Sequence, residues 1–319
     1  MTFEIKHRAG MGGLFDTPLA RPDYHDKIMA MVYERDFLRY ITYSGISERV
    51  THCGQNVHLI KGPEIGDWCT CQFNLQNENS SATATAASLP ICHAAYQSLK
   101  YDALATRYLC EHWELVERKF LEYRYEEYLD FQHEWVFTSM VAQVSQHNQG
   151  ARAGRHRNLD LGSVGAPRRI TRSTLPVELS KMRQVLEDNR PSVPGEFFLL
   201  VPSMIYTVLM KSYFGNTAWG GGSGISRAVD GAWPRQLWGF NVIETNRLLS
   251  TQDSGQVCYY VLAGHRDAFA YASGIVLSRL VPDTHSFSTL FQMLAAWGGV
   301  MLHPDHLVMG YWHFDPISR

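Results

Sequence analysis

Five consecutive apolar residues, Phe197-Phe198-Leu199-Leu200-Val201, run directly into Pro202. A strand with one wet face alternates, so a run without a polar position reads as a buried strand. Pro202 ends it, because proline lacks a backbone donor and has a fixed φ. Ser203 to Lys211 then reads as a helix. A loop rich in glycine and tryptophan follows, Gly215 to Gly231, and Leu237 to Asn246 reads as a second strand led by Gly239-Phe240. Pro194–Asn246 is therefore a strand, helix, loop and strand that the rest of the chain frames.

The chain has 319 residues, room for one large domain or two modest ones. With 45% hydrophobic and 19% charged residues it has the material for a sizeable core. The net charge of -2 provides no bulk field toward DNA or acidic membranes, which disfavours a dedicated nucleic-acid binder. No run approaches the ~20 apolar residues of a membrane span. Met1–Asp16 carries Glu4, Lys6, His7 and Arg8 without an apolar stretch, so it is not read as a secretory signal, and synthesis in a reducing cytoplasm is expected. Cys53, Cys69, Cys71, Cys92, Cys110 and Cys258 show no regular framework and are expected as free thiols.

Upstream of the central unit, Gly10, Gly12, Gly13, Pro18 and Pro22 interrupt the first fifty residues, and Ile28–Tyr43 offers a short helix. An arm packing on something else and an ordinary helix on its own core are both compatible with it. Residues 51–96 read as a long hairpin. Val57 and Leu59 alternate with His58 and Ile60, and Trp68, Thr70 and Gln72 alternate with Cys69, Cys71 and Phe73. Asn74–Ser88 is a soft polar tip, and Ile91–Leu99 is the expected return strand. Residues 112–147 are the strongest helix, with Tyr125, Leu129, Val136, Met140 and Val144 in one stripe. A linker over 148–175 carries the basic cluster Arg152, Arg155, Arg157, Arg168, Arg169 and Arg172, readable as a contact with phosphate or an acidic patch, or as a solvated loop. Thr174 and Pro176 start a helix running to about Asp188. Downstream, Ser250–Gln256 reads as a turn, Val257–Leu262 as a strand, Ala263–Ala272 as a turn into a short alanine-rich helix, and the Pro304 region as a turn into a final strand. Gly274–Leu280 and Phe287–Val300 are apolar elements of open type.

No set of residues needs a catalyst to explain it, so no catalytic, cofactor or metal site is assigned. Cys69 and Cys71 with Cys53 and Cys92 lack the Cys-x-x-Cys knuckle of a structural zinc site. Gly220-Gly221-Gly222-Ser223-Gly224 lacks the Lys-Ser/Thr ending of a phosphate loop. His303, His306 and His313 flank a proline turn and read as surface histidines. His265 and Asp267 can be drawn as a base and its orienter, although an aspartate at a helix start is expected for capping alone.

Four motifs in order carry a resemblance: Phe198-Leu199-Leu200-Val201-Pro202-Ser203 with Tyr206 and Leu209; Gly239-Phe240-Asn241-Val242-Ile243-Glu244-Thr245-Asn246; Ala263-Gly264-His265-Arg266-Asp267-Ala268; and Gly298 to Val308 through Pro304. From about residue 28 to the end the chain resembles the tailed-bacteriophage major capsid proteins. Their fold, the HK97-like major capsid fold, is α+β. The resemblance implies an N-terminal arm at 1–50, an extended hairpin (E-loop) at 51–98, and a peripheral domain with a spine helix at 99–175. An axial domain at 176–274 and a return to the peripheral domain at 275–319 complete it. It further implies self-assembly into hexamers and pentamers of an icosahedral shell around double-stranded DNA, with no enzymatic activity. Implied partners are a separate scaffolding protein, because no long scaffold segment precedes the hairpin, a portal at one vertex, and a decoration or cement protein. No membrane is involved. The alternatives are an encapsulin-like nanocompartment of the same fold and a cytosolic hydrolase using His265 and Asp267.

Overall fold

The computed structural model describes residues 36–43, 50–60, 86–102, 113–171, 173–189, 197–211, 235–237, 239–286 and 288–314. In chain order these hold helix α1 (Leu38–Ile41), strands β1 (Asn56–Ile60), β2 (Ala86–Pro90) and β3 (His93–Asp102), and helix α2 (Trp113–Gln143). There follow β4 (Arg168–Ile170), α3 (Leu175–Asn189), β5 (Phe197–Val201), α4 (Ser203–Lys211), β6 (Arg235–Leu237), β7 (Phe240–Glu244) and β8 (Ser250–Asp253). The chain closes with β9 (Gln256–His265), β10 (Phe269–Pro282), β11 (Ser288–Met301) and β12 (Leu307–Phe314). Residues 61–85, which include most of the expected tip Asn74–Ser88, the glycine-rich loop Gly215–Gly231 and most of the first fifty residues lie outside the described residues. The chain divides into two units: one of 1–35, 44–125 and 271–300, the other of 36–43, 126–270 and 301–319.

The second unit is built on a seven-stranded sheet in the order β4-β12-β9-β5-β7-β6, with β8 paired to β9. All five residues of β5 are buried, as a strand without a polar position requires. β5 pairs in parallel with β7 and antiparallel with β9, placing Leu199 between Val242 and Ala263. Helix α3 covers one face. Its Leu175, Leu179, Met182, Val185 and Leu186 share a core with Leu199, Val201, Val242, Val261, Val308 and Trp312. Helix α2 has 31 residues and spans about 46 Å at ~1.5 Å per residue. Its stripe is buried where it is described, at Leu129, Val136, Met140 and Val144. Phe37 of the α1 segment stacks on Phe137, and Asp36 both accepts from the Leu38 backbone and lies 3.1 Å from His133 Nε2. Arg247 pairs with Asp130.

Several expectations are corrected in this unit. The segment 148–175 is no linker: Ala153, Leu161 and Ile170 belong to the core, and Asn148 donates to the Asp305 and Leu307 carbonyls from a fully buried position. The turn expected at Ser250–Gln256 narrows to Ser254-Gly255, with β8 and β9 forming a hairpin around it. The alanine-rich helix is absent. Ala263–His265 complete β9, Arg266–Ala268 make one 3₁₀ turn, and Phe269 begins β10. Alanine favours helices in isolation, but these alanines are buried and mostly committed to strands: Ala263 pairs with Val308 in the β9–β12 ladder, and Ala270 and Ala272 lie in β10.

In the first unit, β1 and β2 pair antiparallel with Val57 opposite Leu89, both fully buried. The return strand is therefore β2, not Ile91–Leu99. Backbone bonding to the β1 segment runs out at Ile91, and β3 instead pairs with β11 over ten positions, Ser288↔Asp102 to Trp297↔His93. The two apolar elements of open type are β10 and β11, which complete a sheet in the order β10-β11-β3. At the turn joining them, the Asp283 carboxylate accepts from Lys100 Nζ at 2.8 Å, from Ser286 and Ser288, and from the His285 backbone. These donors hold its pKa well below the usual carboxylate range, the Lys100 bond contributing most.

Gln132 of α2 is fully buried, and neither of its amide atoms has a hydrogen-bond partner among the described residues. An unpaired buried amide costs on the order of 1–3 kcal/mol, which an apolar side chain of similar shape does not incur. Gln132→Met is therefore expected to stabilise the protein by about 1 kcal/mol. The measurement is the urea midpoint, which rises at unchanged slope; a lower midpoint would mean that the amide is satisfied in solution.

Candidate functional site

The residues singled out by sequence do not converge on one cleft. His265 and Asp267 are adjacent, but their geometry is that of a cap. The Asp267 backbone N–H donates to His265 Nδ1 at 3.2 Å, and the Asp267 carboxylate lies 3.3 Å from the same nitrogen. The imidazole thus caps the 3₁₀ turn that follows it. Its ring, 2% exposed, packs edge-on against Phe197 and His306. With Nδ1 committed to the turn, only Nε2 could take a substrate proton, and the ring is buried.

The three C-terminal histidines do not form a triad. His303 and His306 stack with ring centroids 4.7 Å apart, whereas His313 sits at the far end of β12 with Nδ1 3.4 Å from the Arg168 carbonyl oxygen. They are also not surface groups, since His313 is buried and the other two are half-buried. Of the cysteines, Cys53 and Cys92 are exposed free thiols and Cys258 is buried. Cys69, Cys71 and Gly220–Gly224 lie outside the described residues. No helix among the described residues is long and apolar enough to cross a membrane.

The basic cluster separates into two kinds of arginine. Arg168 is half-buried and paired, with Nη2 bonded to Glu178 Oε1 at 3.0 Å and Nη1 to Asp160 Oδ2 at 3.1 Å. Lys181 Nζ joins the same Glu178 oxygen at 2.8 Å, so a carboxylate only 2% exposed holds two cations. The hydrogen bond that Arg168 donates to Glu178 is the main cause that raises the Arg168 pKa, against the opposing effect of burial. Arg152, Arg155 and Arg157, by contrast, are exposed and form no ion pair among the described residues. Their loop is fixed by paired bonds between Ala153 and Leu159 and by Gly154 N–H donating to the His147 carbonyl. Sequence reading missed Glu178 as the hub, although its i,i+3 spacing to Lys181 on a helix was visible.

Burial pushes the Tyr311 phenol up to about 12, with the Thr251 hydroxyl 2.9 Å away acting in the opposite direction. The raised value means that Tyr311 favours folding fully below its unfolded pKa near 10, and that this contribution is lost as pH rises toward 12. In an alkaline phenolate titration followed by absorbance, Tyr311→Phe should remove a component that ionises at about pH 12.

No protein-family model matches the chain, and no curated protein matches it. Solved phage capsids do. The chain is similar to the capsid of Ralstonia phage GP4 at TM-score 0.56 and 10% identity, over 85% of this chain and 88% of the other. It is similar to a chain of the mature capsid of bacteriophage PhiM1 at TM-score 0.52 and 14% identity, over 89% and 88%. It is similar to the capsid of a native GTA particle at TM-score 0.51 and 14% identity, over 86% and 89%. The mixed helix-and-sheet fold of this chain is the fold of phage capsid structures.

Proposed function

We propose that this chain is the major capsid protein of a tailed bacteriophage, assembling with copies of itself into the hexamers and pentamers of an icosahedral shell around double-stranded DNA. One observation carries the reading: the similarity to the GP4 capsid extends over 85% of the chain rather than one motif. His265, buried and capping the 3₁₀ turn, is accounted for by the fold and calls for no enzymatic role.

On this reading residues 1–50 are the N-terminal arm, 51–98 the extended hairpin, 99–175 the peripheral domain with its spine helix, 176–274 the axial domain, and 275–319 the return to the peripheral domain. A separate scaffolding protein directs assembly, a portal occupies one vertex and a decoration protein is a further partner. The place of action is the virion shell, after synthesis in the bacterial host.

The test is expression of the full chain with and without the scaffolding protein of its own genome, followed by sedimentation and electron microscopy. Closed shells or ring-shaped capsomers are expected. A protein that stays monomeric at high concentration in both conditions overturns the proposal. Shells that enclose an enzyme instead of DNA would identify a nanocompartment.

A further inference from the structure

We infer that Cys53 and Cys92 are a disulfide-forming pair that clasps the base of the β1–β2 hairpin under oxidising conditions. The register of the hairpin continues past its last ladder pair, Asn56↔Pro90. Ile91 N–H donates to the Gln55 carbonyl at 2.9 Å, and Gly54 N–H donates to the Ile91 carbonyl at 2.7 Å. Both bonds fall on Ile91, so 54 and 55 together oppose 91, and Cys53 and Cys92 are the next residues out on the two segments. Antiparallel neighbours have Cα atoms about 4.5–5.5 Å apart, which overlaps the range a disulfide needs.

In an unbroken strand pair, residues one step out of register point to opposite faces. Gly54 removes that obstacle. Its φ of +90° lies where glycine is favoured, and it re-aims the chain at Cys53. As a result, Cys53 Sγ lies 3.6 Å from the Ile91 carbonyl oxygen, in the peptide unit that joins Ile91 to Cys92. That oxygen is about 2.8 Å from the Cys92 Cα in a planar trans peptide, so the sulfur is within about 6.4 Å of the Cys92 Cα. Both side chains are exposed, so rotation about their χ1 bonds can close the remaining gap without displacing a packed neighbour.

The reaction is thiol–disulfide exchange with a small disulfide such as oxidised glutathione. The thiolate of one cysteine attacks the small disulfide and expels one glutathione thiol. The second cysteine's thiolate attacks the resulting mixed disulfide and expels the other. The two protein thiols lose two electrons and two protons, and the oxidant gains them as two thiols. The bond would close a loop from 53 to 92 that contains the whole β1–β2 hairpin, so it would restrict the unfolded chain. Its timing rests on the capsid reading, since a shell made in a reducing host meets oxidant only on release. Its chemistry does not.

The test uses the full-length chain, both unassembled and in any particles it forms. It is incubated with oxidised glutathione and then digested without reductant. A peptide pair linked through Cys53 and Cys92 is expected, lighter by two hydrogens than the separate peptides and lost on reduction. Cys53→Ser and Cys92→Ser should each abolish it, and oxidation should raise the thermal midpoint of the wild type by about 5 °C but not that of either variant. Glutathione left on each cysteine singly, or a link between two copies seen as a dimer under non-reducing conditions, overturns the clasp. A linked unassembled chain that forms no shells retains the clasp and rejects the capsid reading.

Discussion

Gly162→Ala should destabilise the protein by about 3 kcal/mol or more, a large share of the ~5–15 kcal/mol that holds a folded domain together. Gly162 has φ +88°, where a side chain costs ~1–2 kcal/mol. A Cβ there would also overlap the Tyr311 carbonyl oxygen and lie 3.0 Å from Arg168 Cγ. The carbonyl has little freedom to retreat: the Tyr311 N–H donates to Leu161 at 3.0 Å, and Tyr311 pairs with Tyr260 in the sheet. Gly165 provides the control. Its φ is +85°, but nothing lies within 4 Å of an added Cβ, so Gly165→Ala should lose only about 1 kcal/mol. The urea midpoints of the two variants, measured side by side, separate steric overlap from backbone strain. Equal losses would show that the Gly162 environment relaxes.

Leu199→Ala is expected to cost about 3 kcal/mol, within the ~2–5 kcal/mol range for such truncations. Leu199 is fully buried in the central strand, flanked by Val242 and Ala263, and it shares a core with α3. A methyl group in its place leaves a cavity that two flanking strands and a helix prevent from collapsing. Val257, 47% exposed near the start of β9, is the reference position, where truncation to alanine should change stability by less than about 0.5 kcal/mol. Equilibrium unfolding of both variants tests the contrast. A Leu199→Ala loss no larger than that of Val257→Ala would remove β5 from the centre of the fold.

Much of the framework was legible in the sequence. The unbroken apolar run marked β5 because only a strand covered on both faces lacks polar positions. The stripe at Leu129, Val136, Met140 and Val144 marked α2 because its repeat matches the helical turn. Val57 and Leu59 marked β1 by alternation. The candidate site was less legible. Arg168 and Arg152 look alike in a basic cluster, yet one pairs with a buried carboxylate ten residues on and the other meets solvent.

By itself, the sequence determined local structure wherever a periodic pattern or a proline left one conformation favourable: β5 ending at Pro202, α3 beginning at Thr174-Leu175-Pro176, and the long α2. Tertiary structure alone decided which strands pair. Ala263–Ala272 has helical propensity worth tenths of a kcal/mol per residue, and strand pairing outweighs it: Ala263 is held in the ladders of β9 with β12 and β5, and Ala270 and Ala272 lie in β10. Likewise β3 leaves the hairpin because bonding to the β1 segment ends at Ile91 and β11, nearly two hundred residues away, offers ten positions of another ladder. Pairing across such separations depends on complementary registers, and those exist only once the chain has brought both strands together.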